Sequence, residues 1–393
     1  MTNQRTYELP QSWCWKSLGD VATLINGRAY KKNELLDEGP TPVLRVGNFF
    51  SNRGWYYSDL KLPDDKYCIS GDLLYAWSAS FGPKIWEGGK AIYHYHIWKI
   101  ITSAEIDKKF LYWLLEQDSE DIKSSGNGIA MMHATKGGME KRQIPLPPLA
   151  EQKQIAEILD AADSLRQKDQ QLIEHYTALS QSLFLDMFGD YFKRKECYQE
   201  IGEVTNFIDY RGKTPARIVS GIPLIGAKSV RPGYFDKSRL DFISEKTYQN
   251  VMTRGYPRIG DVLFTTEGAT MGYTCRIPNG FDRFAVGQRL ITLQSKHLYN
   301  NVALEFVINS REVQGEIFLQ ATGSAAKGIR SAKFAKILIP VPPLKIQDQF
   351  AEGIISIDLQ KQQAQESLAK SEDLFNSLLQ RAFKGELTGS KAA

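Results

Sequence analysis

The chain is poor in cysteine. Cys14, Cys68, Cys197 and Cys275 are scattered and form no CxxC pair. That spacing argues against structural zinc, and a disulfide framework is not expected in a chain of 393 residues. No apolar run approaches the roughly 20 residues that a membrane span requires. The start, Met1-Thr2-Asn3-Gln4-Arg5, has no signal-peptide apolar core. The expectation is a soluble, cytoplasmic chain with no membrane partner. Neither sign of charge dominates: 49 basic and 45 acidic side chains leave +4. A mildly basic balance is compatible with nucleic acid without demanding it.

Catalytic signatures are missing as well. Arg211-Gly212-Lys213-Thr214 has the ending of a nucleotide-binding GxxxxGK[ST] loop, but Phe207 stands where its first glycine belongs. No GxGxxG follows a strand, so no dinucleotide or S-adenosylmethionine fingerprint of the Rossmann type is present. The Asn-Pro-Pro-aromatic signature of amino-methyltransferases is absent too. Pro63-Asp64 with Asp107-Lys108-Lys109 can be forced onto a nuclease pattern, yet Asp107 sits where a helix N-cap is wanted. His94 and His96 share a strand face without a third ligand, so a half-exposed strand is the better account than a metal. What remains is a binding or organising chain with no catalytic residue, metal or cofactor of its own.

What is there is a duplication. Gln143-Ile144-Pro145-Leu146-Pro147-Pro148-Leu149, followed by Glu151-Gln152-Lys153-Gln154-Ile155, returns as Leu338-Ile339-Pro340-Val341-Pro342-Pro343-Leu344 with Gln347-Asp348-Gln349-Phe350. The offset, 342 − 147 = 195, holds for Gln152/Gln347, Gln154/Gln349 and Phe188/Phe383. Each copy reads as a short strand stopped by prolines, then a helix entered after the Pro-Pro pair. Earlier pieces echo at smaller offsets. Leu18-Gly19-Asp20-Val21 returns as Ile201-Gly202-Glu203-Val204, Pro42-Val43-Leu44 as Pro223-Leu224-Ile225, and Gly71-Asp72-Leu73-Leu74 as Gly260-Asp261-Val262-Leu263. The two halves therefore differ by insertions between shared framework pieces.

Within the first half, Val43–Val46, Leu73–Trp77 and Ala91–Tyr93 read as strands, and Phe110–Leu115 as a helix begun near Asp107. All seven tryptophans fall between Trp13 and Trp113, where core filling accounts for most of them. From Glu151 to Phe188 the period changes to 3.5. Ile155, Ile158, Ala162, Leu165, Leu172, Tyr176, Leu179 and Leu183 form the stripe, with Asp169 as its one polar position. At about 1.5 Å per residue this helix is a spacer of about 57 Å. A second helix, from about Gln347 to Phe383, carries Ile354, Ile357, Ala364, Leu368, Phe375, Leu378 and Ala382, interrupted by Lys361 and Ser371. Neither rod stands alone in water, so each buries its stripe on the other, and chain order makes the pair antiparallel. The fold class is α+β: two homologous mixed α/β domains separated by two long antiparallel coiled-coil helices, with pseudo-two-fold symmetry. The expected segments are 1–147, a spacer 148–192, a second domain 193–342, a spacer 343–387 and a disordered tail 388–393.

Candidate binding residues lie in matching basic loops. Arg28, Tyr30, Lys31 and Lys32 follow Asn26-Gly27, and their counterparts are Arg211, Lys213, Thr214 and Arg217. Arg45 and Asn48 correspond to about Gly226 and Lys228, with Ser229 and Arg231 after them. The loops before the Pro-Pro turns carry Lys136 in one half and Lys327 and Arg330 in the other. Basic, glycine-containing loops with an aromatic suit phosphate contact beside base edges. A solvated loop would look the same at any one of these places; three matching loops per half favour binding.

These motifs together resemble the specificity subunit of type I restriction–modification systems, along nearly the whole chain. The resemblance rests on the duplicated Pro-Pro boundary with its glutamines, the long helix after each copy, the Gly-Asp strand in each half, and the ending Ala382-Phe383-Lys384-Gly385-Glu386-Leu387. It implies two target recognition domains, each reading one half of a bipartite, asymmetric double-stranded DNA sequence, with the helices as a ruler between them. It implies a non-catalytic subunit that recruits two S-adenosylmethionine-dependent adenine methyltransferase subunits and then ATP- and magnesium-dependent restriction subunits. A stand-alone nuclease or methyltransferase and a protein-only coiled-coil scaffold are the alternatives.

Overall fold

The computed structural model describes residues 8–51, 54–78, 81–124, 135–212, 214–323 and 327–388. The chain divides into two compact units: Met1–Gln170 with Gln365–Ala393, and Gln171–Ala364. Both long helices therefore belong partly to each unit.

In the first unit, an antiparallel sheet runs in the order Ala22–Asn26, Ile97–Thr102, Leu73–Ala76, Gly82–Ile85. A second sheet orders Tyr56–Ser58, Thr41–Leu44, Ala91–Tyr93 and Tyr67–Cys68, with Thr41–Leu44 parallel to Ala91–Tyr93. The second unit repeats the plan. Its main sheet orders Thr205–Asp209, Leu290–Ser295, Val262–Thr265 and Thr274–Arg276. Its second sheet orders Asp241–Ile243, Ile222–Ile225 and Ala285–Val286, the last two parallel.

Each repeated motif has a structural task. Gln143–Leu146 pairs with Cys14–Ser17, and Leu338–Pro340 pairs with Tyr198–Glu200, so the strand before the Pro-Pro turn closes its unit on that unit's first strand. Gly71 and Gly260 hold φ of 89° and 85°, turns that a side chain would strain. The aspartate after each glycine accepts a backbone N–H, from Ile69 to Asp72 at 2.9 Å and from Arg258 to Asp261 at 2.8 Å. Gly19 and Gly202 lie in one-turn helices packed so closely that an added Cβ would stand 3.1 Å from the Glu140 or Ala335 Cβ.

The glutamines tie each long helix to its unit. Fully buried Gln152 accepts from the Asp107 amide at 2.7 Å and donates to the carbonyls of Glu105 and Pro147 at 3.0 and 2.8 Å. Fully buried Gln347 accepts from the Asn300 amide at 2.9 Å and donates to Leu298 and Pro342 at 3.1 and 2.7 Å.

Local readings are adjusted in places. The strand at Val43 is Thr41–Leu44, and Val46–Phe50 is a short helix. The helix at Phe110 spans Lys108–Ser124 and is capped by Asp107, whose Oδ1 accepts from the Lys109 and Phe110 amides. Trp13, Trp86, Trp98 and Trp113 are buried, whereas Trp15 is exposed and Trp77 is half-buried.

The long helices are Leu149–Phe188 and Leu344–Ala382. In the first unit, Asp169 meets Ser371, Arg166 lies over Phe375 and Glu151 bonds Thr388. As one number falls the other rises, so the pairing is antiparallel. In the second unit Phe188 packs on Phe350 and Leu183 lies against Gly353, the same antiparallel sense.

The stripe of the second helix runs as its sequence predicts. Ile354, Ala364 and Phe375 are buried, Ile357, Leu368 and Leu378 are half-buried, and Lys361 and Ser371 occupy seam positions. The first helix is a correction. Ile155, Ala162, Asp169, Tyr176 and Leu183 keep the seam, but the intervening positions fall one residue later, at Leu159, Arg166, Ile173 and Ser180. Ile158 is only half-buried, and Leu165, Leu172 and Leu179 face solvent at 45%, 43% and 50% exposure.

Candidate nucleic-acid interface

The basic loops begin at equivalent points, one residue beyond the strand that follows each unit's first helix turn. Arg28 follows Ala22–Asn26 by one glycine, and Arg211 follows Thr205–Asp209 by one tyrosine. Both guanidinium groups are already paired. Arg28 Nη2 donates to Glu34 Oε1 at 2.7 Å and Nη1 to Oε2 at 3.2 Å. Arg211 Nη2 donates to Asp209 Oδ2 at 2.6 Å, with Nε on the same carboxylate. The bond from Arg28 holds the Glu34 carboxyl below its ordinary range. Burial pushes Asp209 the other way, but the bonds from Arg211 outweigh it and the carboxyl lies low.

Other predicted cations are also offset. Arg217 and Lys228 share Asp241, at 3.3 and 2.7 Å, and Lys136 lies 3.5 Å from Glu140. Exposed Lys31, Lys32, Lys327 and Arg330 have no ion-pair partner among the described residues, and neither does half-buried Arg231. Arg45 stacks over Tyr56 at 5.2 Å, while Asn48 accepts from the Arg45 amide and donates to the Gly54 carbonyl. Tyr30 is half-buried beneath Arg28, and its hydroxyl lies 3.4 Å from the Tyr93 carbonyl. Desolvation there drives the Tyr30 phenol well above its ordinary value.

One candidate is corrected outright. Ser229 is fully buried, and its hydroxyl donates to the Arg239 carbonyl at 2.9 Å, so it has no face toward a ligand. Lys213, the loop 125–134, Ser324 and the tail 389–393 lie outside the described residues.

In the second unit the structure gathers these pieces around Gly287-Gln288-Arg289, the turn between Ala285–Val286 and Leu290–Ser295. Arg211, Thr266, Glu267, Arg289 and Arg330 line an open groove on one side. Thr214, Arg217, Lys228, Asp241 and Gln288 line another. The Thr214 hydroxyl donates to Gln288 Oε1 at 3.0 Å. In the first unit the equivalent turn is His94-Tyr95-His96, packed edge-on to Trp77. Burial, with His96 and Arg45 nearby, lowers His94 to about 4, so its imidazole is neutral at pH 7. Sequence reading passed over Gln288 and Arg289 because neither lies in a basic run.

Among the described residues no group of three or more His, Cys, Asp or Glu side chains could hold a metal ion. No helix among them is long and apolar enough to cross a membrane. All four cysteines are free.

Comparison with known proteins agrees with this duplicated architecture. The chain is 24% identical over 96% of its length to the type I restriction enzyme EcoBI specificity subunit of Escherichia coli, covering 86% of that protein. It is 23% identical over 97% of its length to the EcoKI specificity subunit of Escherichia coli strain K12, covering 90% of it. Its fold resembles the crystal structure of the type I restriction–modification S subunit from M. genitalium, with a TM-score of 0.62 at 15% identity, covering 96% of this chain and 98% of that one. The family model described as the type I restriction modification DNA specificity domain matches twice, at residues 10–175 and 200–369, once for each repeat. The chain therefore belongs to the type I restriction–modification DNA specificity family, as a specificity component and not a catalyst.

Proposed function

We propose that each unit reads one half of a bipartite, asymmetric duplex target and that the two long helices set the spacing between the halves. The observation that carries this reading is the repeated framework with a cationic loop at the same place in each copy, Arg28 in one and Arg211 in the other. Lys31, Lys32, Lys327 and Arg330, exposed and without described counter-ions, are assigned to phosphates. Arg28, Arg211, Arg217, Lys228 and Lys136 are assigned to shaping the loops through their carboxylate partners. Tyr30, Arg45, Asn48, Thr214 and Arg231 lie beside them, and Lys213 is kept as a candidate. The functional segments are recognition regions 1–147 and 193–342, with spacers 148–192 and 343–387.

The reading includes partners. The solvent-facing Leu165, Leu172 and Leu179 offer apolar contact to methyltransferase subunits, two per chain, which would supply the S-adenosylmethionine chemistry. Restriction subunits would supply the ATP- and magnesium-dependent step. This places the chain with the DNA in a prokaryotic cytoplasm. Neither a stand-alone enzyme nor a protein-only scaffold has an observation in its favour.

The test is duplex binding as a function of salt. Alanine at Lys31, Lys32, Lys327 or Arg330 is expected to weaken all duplexes alike and reduce the salt slope by about 1 each. Unchanged slopes in all four variants would reject the phosphate assignment. A map of adenine methylation in host DNA, with the chain present and deleted, tests the function as a whole.

A further inference from the structure

The turns His94-Tyr95-His96 and Gly287-Gln288-Arg289 are held by the same backbone bonds. The His94 amide donates to the Leu44 carbonyl at 2.9 Å, and the Gly287 amide donates to Ile225 at 2.8 Å. Inside each turn, Ile97 donates to His94 at 2.9 Å and Leu290 to Gly287 at 3.2 Å. At the far end, Trp77 donates to the His96 carbonyl at 3.0 Å, and Thr266 donates to Arg289 at 3.0 Å. Each turn is thus pinned between the two sheets of its unit. Its backbone is fixed while its side chains bear the difference.

That difference is large where the framework is otherwise repeated. One turn presents two imidazoles and an exposed phenol beside Trp77. The other presents a carboxamide and an exposed guanidinium. A constant frame carrying unlike donors and acceptors is what two readers of different half-sites require. Exposed Lys31 and Lys32 follow Arg28, whose carbonyl accepts from the Tyr95 amide at 3.0 Å, and exposed Arg330 lines the groove beside Arg289, so phosphate-binding cations lie near both turns.

We infer that these two turns are the specificity-determining elements, each reading base edges in the major groove of its half-site. In the second unit, Arg289 takes a guanine through O6 and N7, and Gln288 takes an adjacent adenine through N6 and N7. Support for both side chains is already in place. Glu267 Oε1 lies 3.2 Å from Arg289 Nε, and a carboxylate on that nitrogen leaves the terminal amino groups for a base. The Thr214 hydroxyl on Gln288 Oε1 steadies the amide, whose oxygen keeps a second lone pair. In the first unit, the imidazoles of His94 and His96 and the Tyr95 phenol offer donors and acceptors to base edges, and Trp77 offers an apolar face to a thymine methyl. The inference rests on the reading that the chain binds duplex DNA.

The experiment is enrichment from random-sequence duplexes by the full chain, purified from cells with its bound subunits, in wild-type form and as Arg289→Ala, Gln288→Ala and Tyr95→Ala with His96→Ala. The expected wild-type result is a two-part motif with adjacent adenine and guanine in one half. Arg289→Ala is expected to lose about ten- to hundredfold discrimination at the guanine, and Gln288→Ala at the adenine, with the other half-site unchanged. The Tyr95/His96 variant is expected to blur only the other half. That intact half-site reports a folded chain within each variant. Variants that enrich the wild-type motif unchanged, or that blur both halves equally, would overturn the inference and leave DNA reading intact. A wild-type chain that enriches no motif would overturn DNA reading, and the inference with it.

Discussion

Asp169 and Ser371, one polar seam residue from each long helix, are hydrogen-bonded to each other at 2.8 Å. Ser367 adds its hydroxyl to both carboxylate oxygens at 3.1 Å. Asp169 is 5% exposed and Ser371 3%, so the two residues make one buried polar contact. A carboxylate that only one pairing satisfies also fixes which residues face one another along the two helices.

Replacing Ser371 by valine is expected to destabilise the first unit by about 2 kcal/mol, because it leaves Asp169 short of a charge-assisted bond. Replacing Asp169 and Ser371 together by leucine is expected to recover that loss. Urea midpoints of the parent and both variants decide it; a single variant as stable as the parent would contradict the role.

Gln347→Ala removes one acceptor and two donor contacts from a fully buried site. The expected cost is about 3 kcal/mol, felt where the long helix leaves its unit. Hydrogen exchange at the Asn300 amide is the direct readout and should accelerate. The same holds for Gln152→Ala at Asp107, and unchanged protection at both amides would refute the clasp.

Arg276 joins the second unit's sheet to its share of the long helix. Nη2 donates to Asp358 at 2.8 Å, and Nε bonds Glu305, which is 2% exposed. Burial pushes Glu305 up to about 7 against the pull of Arg276. Arg276→Met should cost about 3 kcal/mol by stranding a buried carboxyl, and adding Glu305→Gln should restore most of it. Equal urea midpoints for parent and single variant would rule this out.

His94 gives a pH dependence of definite sign. Its folded value of about 4 lies below the ordinary value near 6.5. Between these the unfolded chain binds the proton more readily, so its contribution is complete above about 6.5 and is lost as pH falls toward 4. Partial exposure limits this to about 2 kcal/mol. An NMR titration of the imidazole protons should find His94 titrating near 4; a midpoint near 6.5 would show that it is not buried.

By itself the sequence determined the duplication, the two long helices and their direction, and the cap at Asp107. All of these rest on local chemistry: prolines stop ladders, glycines make turns, and period-3.5 stripes need a partner. It also placed the second helix's seam correctly, polar positions included. The seam of the first helix was decided by tertiary structure. Apolar residues adjoin at several of its steps, Ile158 beside Leu159 and Leu172 beside Ile173, so apolarity alone does not choose the phase. Docking chose it, through Leu159 in the core and Asp160 on Trp113 at 2.8 Å, and it turned Leu165, Leu172 and Leu179 outward. Tertiary structure likewise decided which cations are free, since Arg217 and Lys228 reach Asp241 only once Ile222–Ile225 and Asp241–Ile243 have paired. It alone assembled the Gln288–Arg289 turn with Arg211, Thr214 and Arg330, because bonds between distant backbone segments, not any run of residues, bring them to one surface.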